Sequence, residues 1–345
     1  MTGTSLLPGC LIRIGRATFR IHPRGVIVLG ALAVVFLVTG VLSLMLGSIS
    51  LTLADLWDVA TGDARPAYMR SVLGRKVPRL LTAALVGICL GVSGAVVQSL
   101  TRNPLGSPDI VGFTTGAATA AVLQIVVFGG GPLATGIAAM AGGIGTALAV
   151  YALARRDGTS GGLRLVLVGI GIGSLLGAIT SLLTIRASLD DATTVQLWTA
   201  GSLTGRGWSH VAALAIAAVI LLPPLVVLAK STTLIEMGDD TARAIGIPVE
   251  RTRFTALLLA VALAGVATGA AGPIAFIAFA APHVARILVR TPGVLLWTSG
   301  VAGAVLLAAA DLLAQHVDIS LRTPVGLVTS LLGGIYLLWL LARRI

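Results

Sequence analysis

Eight stretches of this chain, 25–54, 80–101, 110–154, 165–185, 207–229, 254–285, 291–310 and 323–342, contain no lysine, arginine, aspartate or glutamate. About 20 apolar residues suffice for a helix to cross a bilayer. A backbone in hydrocarbon must also satisfy its own hydrogen bonds, which leaves helices as the natural form for runs of this length. Two stretches exceed one crossing. Gly129-Gly130-Gly131-Pro132 divides 110–154 into two spans, and Gly272-Pro273 is the natural break in 254–285. Counting both as double gives ten spans, whereas hydropathy alone allows nine. Only 11% of the 345 residues are charged and 56% are hydrophobic. Soluble domains carry about 25% charged residues, so lipid is the solvent for most of this chain. The expected fold is an all-α integral membrane protein.

The net charge of +11 does not point to nucleic acid, because the cations lie between apolar spans. They read as topology signals and as anchors for membrane lipid. With ten spans and the N-terminus inside, 16 of the 24 Lys and Arg residues fall on inner segments and 8 on outer ones. The positive-inside rule then puts both termini in the cytoplasm. Residues 1–24 are expected to form a cytoplasmic N-terminal segment, and 25–345 one permease domain. The apolar run after Arg24 is too long for a signal-peptide core and is expected to stay as the first helix.

One outer segment departs from the charge trend. Residues 55–79 hold five cations, and Lys76 and Arg79 flank Val77-Pro78 where the second span begins. Two readings stand: interfacial snorkelling, or a docking patch for an acidic partner. No Gly-x-x-x-x-Gly-Lys-Ser/Thr phosphate loop occurs, so any ATP that drives the protein must be bound elsewhere. His22, His210, His283 and His316 are not paired at metal-ligand spacing, and no metal or cofactor is expected on this chain. Ion-coupled carriers use intramembrane carboxylates. The nearest candidate here is Asp311, expected at the outer end of the ninth span, where it could equally cap or pair locally.

Residues 230–253 form the sharpest local signal. Four acids and four bases crowd into a segment between two spans. Asp239 or Asp240 suits a helix N-cap, Arg243 suits the C-terminal end of the dipole, and Gly246 with Pro248 marks a stop. A short cytoplasmic helix of about two turns is expected. It is either an ordinary solvated loop or a rigid knob for an ATPase groove.

Further runs make the chain familiar. Arg102-Asn103-Pro104-Leu105-Gly106-Ser107-Pro108-Asp109 follows a span holding Ser93-Gly94-Ala95-Val96-Val97-Gln98. Leu197-Trp198-Thr199-Ala200-Gly201-Ser202-Leu203, Glu236-Met237-Gly238-Asp239-Asp240, Ala271-Gly272-Pro273-Ile274-Ala275-Phe276, Ala281-Pro282-His283, Ala310-Asp311 and Gly333-Gly334-Ile335-Tyr336-Leu337 come after it. In order and spacing these resemble the FecCD family of ABC-importer permeases, and most closely its enterobactin-type members, from about residue 25 to 342. The resemblance implies ten helices in the type II importer fold of the cobalamin permease. It also implies a ferric-siderophore cargo, perhaps a catecholate, with another siderophore, haem or cobalamin as alternatives. The implied partners are a second permease subunit, sister or identical, two ATPase subunits that use ATP and magnesium, and an extracytoplasmic siderophore-binding protein. The chain itself is implied to be a non-catalytic permease of the inner membrane.

The same resemblance assigns roles. Glu236, Asp239, Asp240, Arg243, Gly246 and Pro248 fall on the ATPase-coupling segment. Lys76 and Arg79 fall on the basic pair that docks the binding protein, with lysine in place of the usual arginine. A second docking arginine of the cobalamin permease falls on Gln315 or His316, and Arg322 is near enough to replace it. The fifth and tenth spans line the path. On the fifth, Ser174, Ser181, Thr184 and Ser188 recur at spacings that place hydroxyls on one face, either as a neutral wall for polar cargo or as helix-packing hydrogen bonds. The rival of another class is an ion-coupled secondary transporter, which calls for inverted repeats and intramembrane carboxylates.

Overall fold

A computed structural model describes residues 10–14, 17–21, 23–47, 50–155, 162–316 and 323–342. The first described elements are two short antiparallel strands, β1 (Cys10–Ile14) on β2 (Ala17–Ile21), with Cys10 opposite Ile21. Every regular element described after them is a helix. The long apolar helices are α1 (Pro23–Met45), α4 (Val77–Thr101), α6 (Pro132–Ala154), α7 (Gly162–Arg186), α9 (Trp208–Glu236), α11 (Val249–Ala271) and α13 (Leu296–His316). Between and after them lie shorter apolar helices, α5 (Phe113–Val126), α12 (Ile277–Val289) and α14 (Val325–Ala342). Among the described residues seven helices are long and apolar enough to cross a membrane and three apolar ones are shorter, in keeping with the ten expected.

Both double stretches break at the glycines expected. The chain turns left-handed at Gly129 (φ +60°) and α6 restarts on Pro132. It does so again at Gly272 (φ +74°), where a side chain would approach the Trp198 carbonyl. At 13 residues, α12 is about 20 Å long. The irregular 272–276 segment before it is tolerated where protein rather than lipid surrounds it; Ile274 is buried, and Gly201, whose carbonyl accepts from Gly326, packs on Pro273.

The core is organised around α4. Its glycines 87, 91 and 94 fall on one face and let neighbouring backbones come close. A Cβ at Gly87 would strike the Gly303 carbonyl, one at Gly91 the Ser299 carbonyl, and one at Gly94 the Ala278 carbonyl. Polar side chains complete the packing. The Ser93 hydroxyl donates to the Ala260 carbonyl at 2.6 Å and Gln98 Nε2 to the Phe279 carbonyl at 3.1 Å. Cys89 is fully buried in this helix as a small packing residue. Of the apolar window of α4, 78% is buried, against 6% for α1 and 11% for α7. The last two are therefore faces left for lipid or protein.

Short helices decorate the two ends. Next to α4's start lie α2 (Leu53–Thr61), α3 (Pro66–Ser71) and a π-helical turn, Val72–Lys76. A reciprocal Thr52–Asp55 capping box starts α2. On the same connection pattern, α8 (Leu189–Thr199) follows α7, and α10 (Asp239–Ala244) lies between α9 and α11.

Candidate functional site

The 230–253 segment is less of a loop than its charge suggests. Lys230 to Glu236 continue α9, and Val249 to Arg253 already belong to α11. Only 237–248 lies between them, and it holds α10. The reason is that helical hydrogen bonding carries on past the apolar stretch once side chains reach polar surroundings. Neither Asp239 nor Asp240 is the N-cap. Gly238 takes that place at φ +124°, and both aspartates stand in the first turn, where the helix dipole still favours them. The stop is as expected. Gly246 is left-handed (φ +85°), its N–H donates to the Arg243 carbonyl, and the Ile247 N–H donates to the Ala242 carbonyl. These two bonds make a Schellman ending. Ile247 packs there with buried Ile235, Ala242 and Val249.

Charge pairs fix this knob to the bundle. Asp239 accepts from Arg253 Nη2 through both oxygens at 2.8 Å and is also paired with Arg102. Arg253 is itself bonded to Glu250, which accepts from the Tyr151 hydroxyl at 3.2 Å. Burial alone would raise the Asp239 carboxyl, but Arg253 and Arg102 together outweigh it and hold it below its ordinary value. Arg102 is aimed by local geometry: α4 stops on it in a left-handed turn (φ +51°), and its Nε also donates to the Ile235 carbonyl. Asp240, by contrast, is fully exposed and among the described residues meets only Arg243, at 2.9 Å. Glu236 lies 4.0 Å from Arg286. The free face of the knob presents Met237, Asp240, Arg243, Ile245, Gly246 and Pro248.

Arg102, Arg253, Glu250 and Tyr151 are the site residues that sequence reasoning missed. Arg102 opens the Arg102–Asp109 run without any local sign of an ion pair, and nothing in the local pattern marks Arg253 as buried.

At the other end of α4 the two candidate docking cations are both engaged. Lys76 Nζ donates to the Leu44 and Leu46 carbonyls at 2.7 and 3.0 Å, tying the end of α1 to the π-helical turn. Arg79 forks onto Asp311, with Nε–Oδ2 2.9 Å and Nη2–Oδ1 2.8 Å. Asp311 is 3% exposed and stands near the end of α13, which runs on to His316, so it lies towards the helix end as expected but is not a cap. Its pairing is long-range, with Gln315 Nε2 adding a local bond at 2.8 Å. Arg322 lies outside the described residues.

The hydroxyl face of α7 is only partly as expected. Ser174, Ser181 and Thr184 are on the helix, and each hydroxyl donates to the carbonyl four residues earlier, which leaves no hydroxyl hydrogen for cargo. Ser188 is not on α7, which ends at Arg186. It caps α8, accepting from the Asp191 N–H at 3.2 Å. Among the described residues no group of three His, Cys, Asp or Glu could hold a metal ion. His283 is buried and stacks on Phe279 beside Tyr336.

Residues 35–343 match the FecCD transport family. The ferric enterobactin transport system permease protein FepG of Escherichia coli K12 is 44% identical over 89% of this chain and 93% of its own length. The hemin transport system permease protein HmuU of Yersinia pestis is 35% identical over 94% and 97%. The probable siderophore transport system permease protein YfhA of Bacillus subtilis 168 is 38% identical over 83% and 87%. A solved inward-facing structure described as a metal-chelate type ABC transporter superposes with a TM-score of 0.83 at 25% identity, covering 92% of this chain and 99% of that one. The chain belongs to the FecCD transport family, as a non-catalytic, membrane-embedded permease subunit of an ABC importer of the iron-siderophore and haem class, with ATP hydrolysis on a separate subunit.

Proposed function

We propose that this permease moves a ferric siderophore of catecholate type across the cytoplasmic membrane. The observation that carries the cargo class is the 44% identity to the ferric enterobactin permease over nearly the whole of both chains. In this reading both termini lie in the cytoplasm, with residues 1–24 as an N-terminal segment and 25–345 as one permease domain. The knob 237–248 seats in a groove of one of two ATPase subunits. Its exposed Met237 and Ile245 supply apolar contact, and Asp240 and Arg243 supply charge. The Asp239 network makes the knob stiff, so that force applied there reaches α4, α9 and α11.

The uncovered faces of α7 and α14 suit the second permease subunit and the path between the two. Their exposed surface is apolar, and the serine hydroxyls of α7 are satisfied within the helix, so the wall would hold a charged complex only weakly. The binding protein docks at the end that carries Lys76 and Arg79. No covalent chemistry falls to this chain. Coupling is differential binding, in which the ATPase grips one permease conformation better than the other.

The test is uptake of labelled iron into cells that express this permease with its neighbouring transport genes, offered a panel of catecholate, hydroxamate and citrate chelates and haem. Uptake of the catecholate alone, abolished by an ATPase that cannot hydrolyse ATP, is the expected result. Preference for haem or a hydroxamate overturns the cargo assignment. Uptake that survives loss of the ATPase and follows a proton gradient overturns the mechanism.

A further inference from the structure

Near the knob, a cleft of about 650 Å³ opens between α6 and α11. Its floor is Leu148, Ala152 and the Tyr151–Phe254 pair, whose ring centroids are 5.0 Å apart. Arg155 and Arg251 stand at its rim, both exposed. Neither has an ion-pair partner among the described residues. The carboxylate in the lining, Glu250, is already bonded to Arg253 and Tyr151, so its charge is largely spent. From the same floor a narrow apolar crevice continues along the two helices past Ala147, Leu257, Leu258 and Val261.

We infer that this cleft is a binding site for an anionic phospholipid, its phosphate between Arg155 and Arg251 and one acyl chain along the α6–α11 groove. The two arginines are opposite in charge to a phosphodiester, and Arg is suited to gripping phosphate oxygens with paired donors. The groove starts at the level where α6 and α11 leave the apolar stretch and descends into it, which is the path of a lipid from headgroup to chain. Leu148 and Phe254 are exposed along this line, an apolar surface of the kind that an acyl chain covers. Because Tyr151 is both floor of the cleft and donor to Glu250, a bound lipid presses on the residue that leads to Arg253 and Asp239. The regulatory consequence rests on the proposed role of the knob; the binding itself does not.

The experiment is native mass spectrometry of the full-length permease in detergent, titrated with phosphatidylglycerol or phosphatidylcholine. Phosphatidylglycerol adducts should persist where phosphatidylcholine adducts do not. At roughly five-fold per cation near a membrane surface, removing both with R155A/R251A should weaken phosphatidylglycerol binding about thirty-fold. Leu258→Trp, which fills the groove and leaves the rim intact, should weaken it as well. Equal retention of the two lipids overturns the site, as does an unchanged titration in R155A/R251A. Displacement of the lipid by inorganic phosphate overturns the lipid as occupant. Repeating the titration on the assembled transporter separates the other occupants: retained adducts support the site, and adducts lost on assembly assign the cleft to a second copy or an ATPase subunit. None of these readouts requires transport, so a wrong cargo or coupling assignment would leave them unaffected.

Discussion

Removing the Arg79 side chain should cost more than removing the carboxylate it binds. The pair is bidentate at 2.8 and 2.9 Å, with the side chain of Asp311 4% exposed and that of Arg79 25% exposed. Arg79→Ala leaves a charged carboxylate inside the bundle with only Gln315 to answer it. Breaking one side of a buried pair costs about 3–5 kcal/mol, and the partial exposure of Arg79 places this case near about 3 kcal/mol. Asp311→Asn removes the charge and keeps a polar group that Gln315 and Arg79 can still bond. The guanidinium keeps one such bond and turns its other donors to water through its open side, so about 1.5 kcal/mol is expected, the low end for a bond to a charged group. The double variant R79A/D311N has no orphaned carboxylate and should be more stable than R79A by about 1–2 kcal/mol.

Equilibrium unfolding of the detergent-solubilised protein measures all three. The reasoning fails if R79A lies within about 0.5 kcal/mol of the parent, the ordinary range of surface substitutions, or if D311N costs more than R79A. The double variant then separates structure from docking. If Arg79 also receives the binding protein, R79A/D311N will bind it more weakly than D311N does, despite regained stability. If Arg79 is only a clamp, the two will bind it alike.

Other perturbations have equally definite outcomes. Asp239→Asn should lower transport and loosen the knob, because it takes charge from Arg102 and Arg253 together, whereas Asp240→Asn should leave stability within about 0.5 kcal/mol; stability assays and transport on each variant check the split. Gly246→Pro should reduce transport while binding-protein docking persists, since proline cannot adopt φ +85°, and ATPase activity that still responds normally to loaded binding protein would contradict it. Gly94→Leu should prevent a stable fold, because its side chain must displace the Ala278 backbone; yield of monodisperse protein reports this. The depressed Asp239 carboxyl stabilises the fold above its ordinary 3.8 and loses that contribution as pH falls through the folded value. Unfolding midpoints should therefore drop below pH about 4 in the parent, and less steeply in Asp239→Asn.

The spans were legible because lipid imposes a one-dimensional rule: charge is excluded over a bilayer thickness, and glycine or proline marks where the backbone turns. The same rule located the breaks at 129–132 and 272–273 and the Gly246 stop. It is silent on which cations are buried. Arg253 flanks an apolar stretch as any snorkelling residue would, yet its side chain is 5% exposed, because Asp239 lies 14 positions away along the chain and curls back onto it. Ser188 kept the helical spacing of Ser181 and Thr184, but α7 had already ended, since a serine followed three residues later by aspartate starts a helix as readily as it extends a face.

The two missed ion pairs share a helix, and that has a mechanical consequence. Arg79 opens α4 and Arg102 closes it, about 35 Å apart along a 25-residue helix. One holds Asp311 on α13 and the other holds Asp239 on the knob. Between them, the stacked glycines press α4 against α12 and α13 without flexible side chains to absorb movement. A displacement of the knob must therefore carry α4 with it or break the Arg102–Asp239 pair. A displacement of α13 at the far end must likewise carry α4 or break Arg79–Asp311. Shortening either tether, as Arg102→Lys would, leaves the charges in place but loses the fork that fixes their geometry. Transport should then fall more than stability does, because the fold needs the charge compensated while a lever needs it held in position.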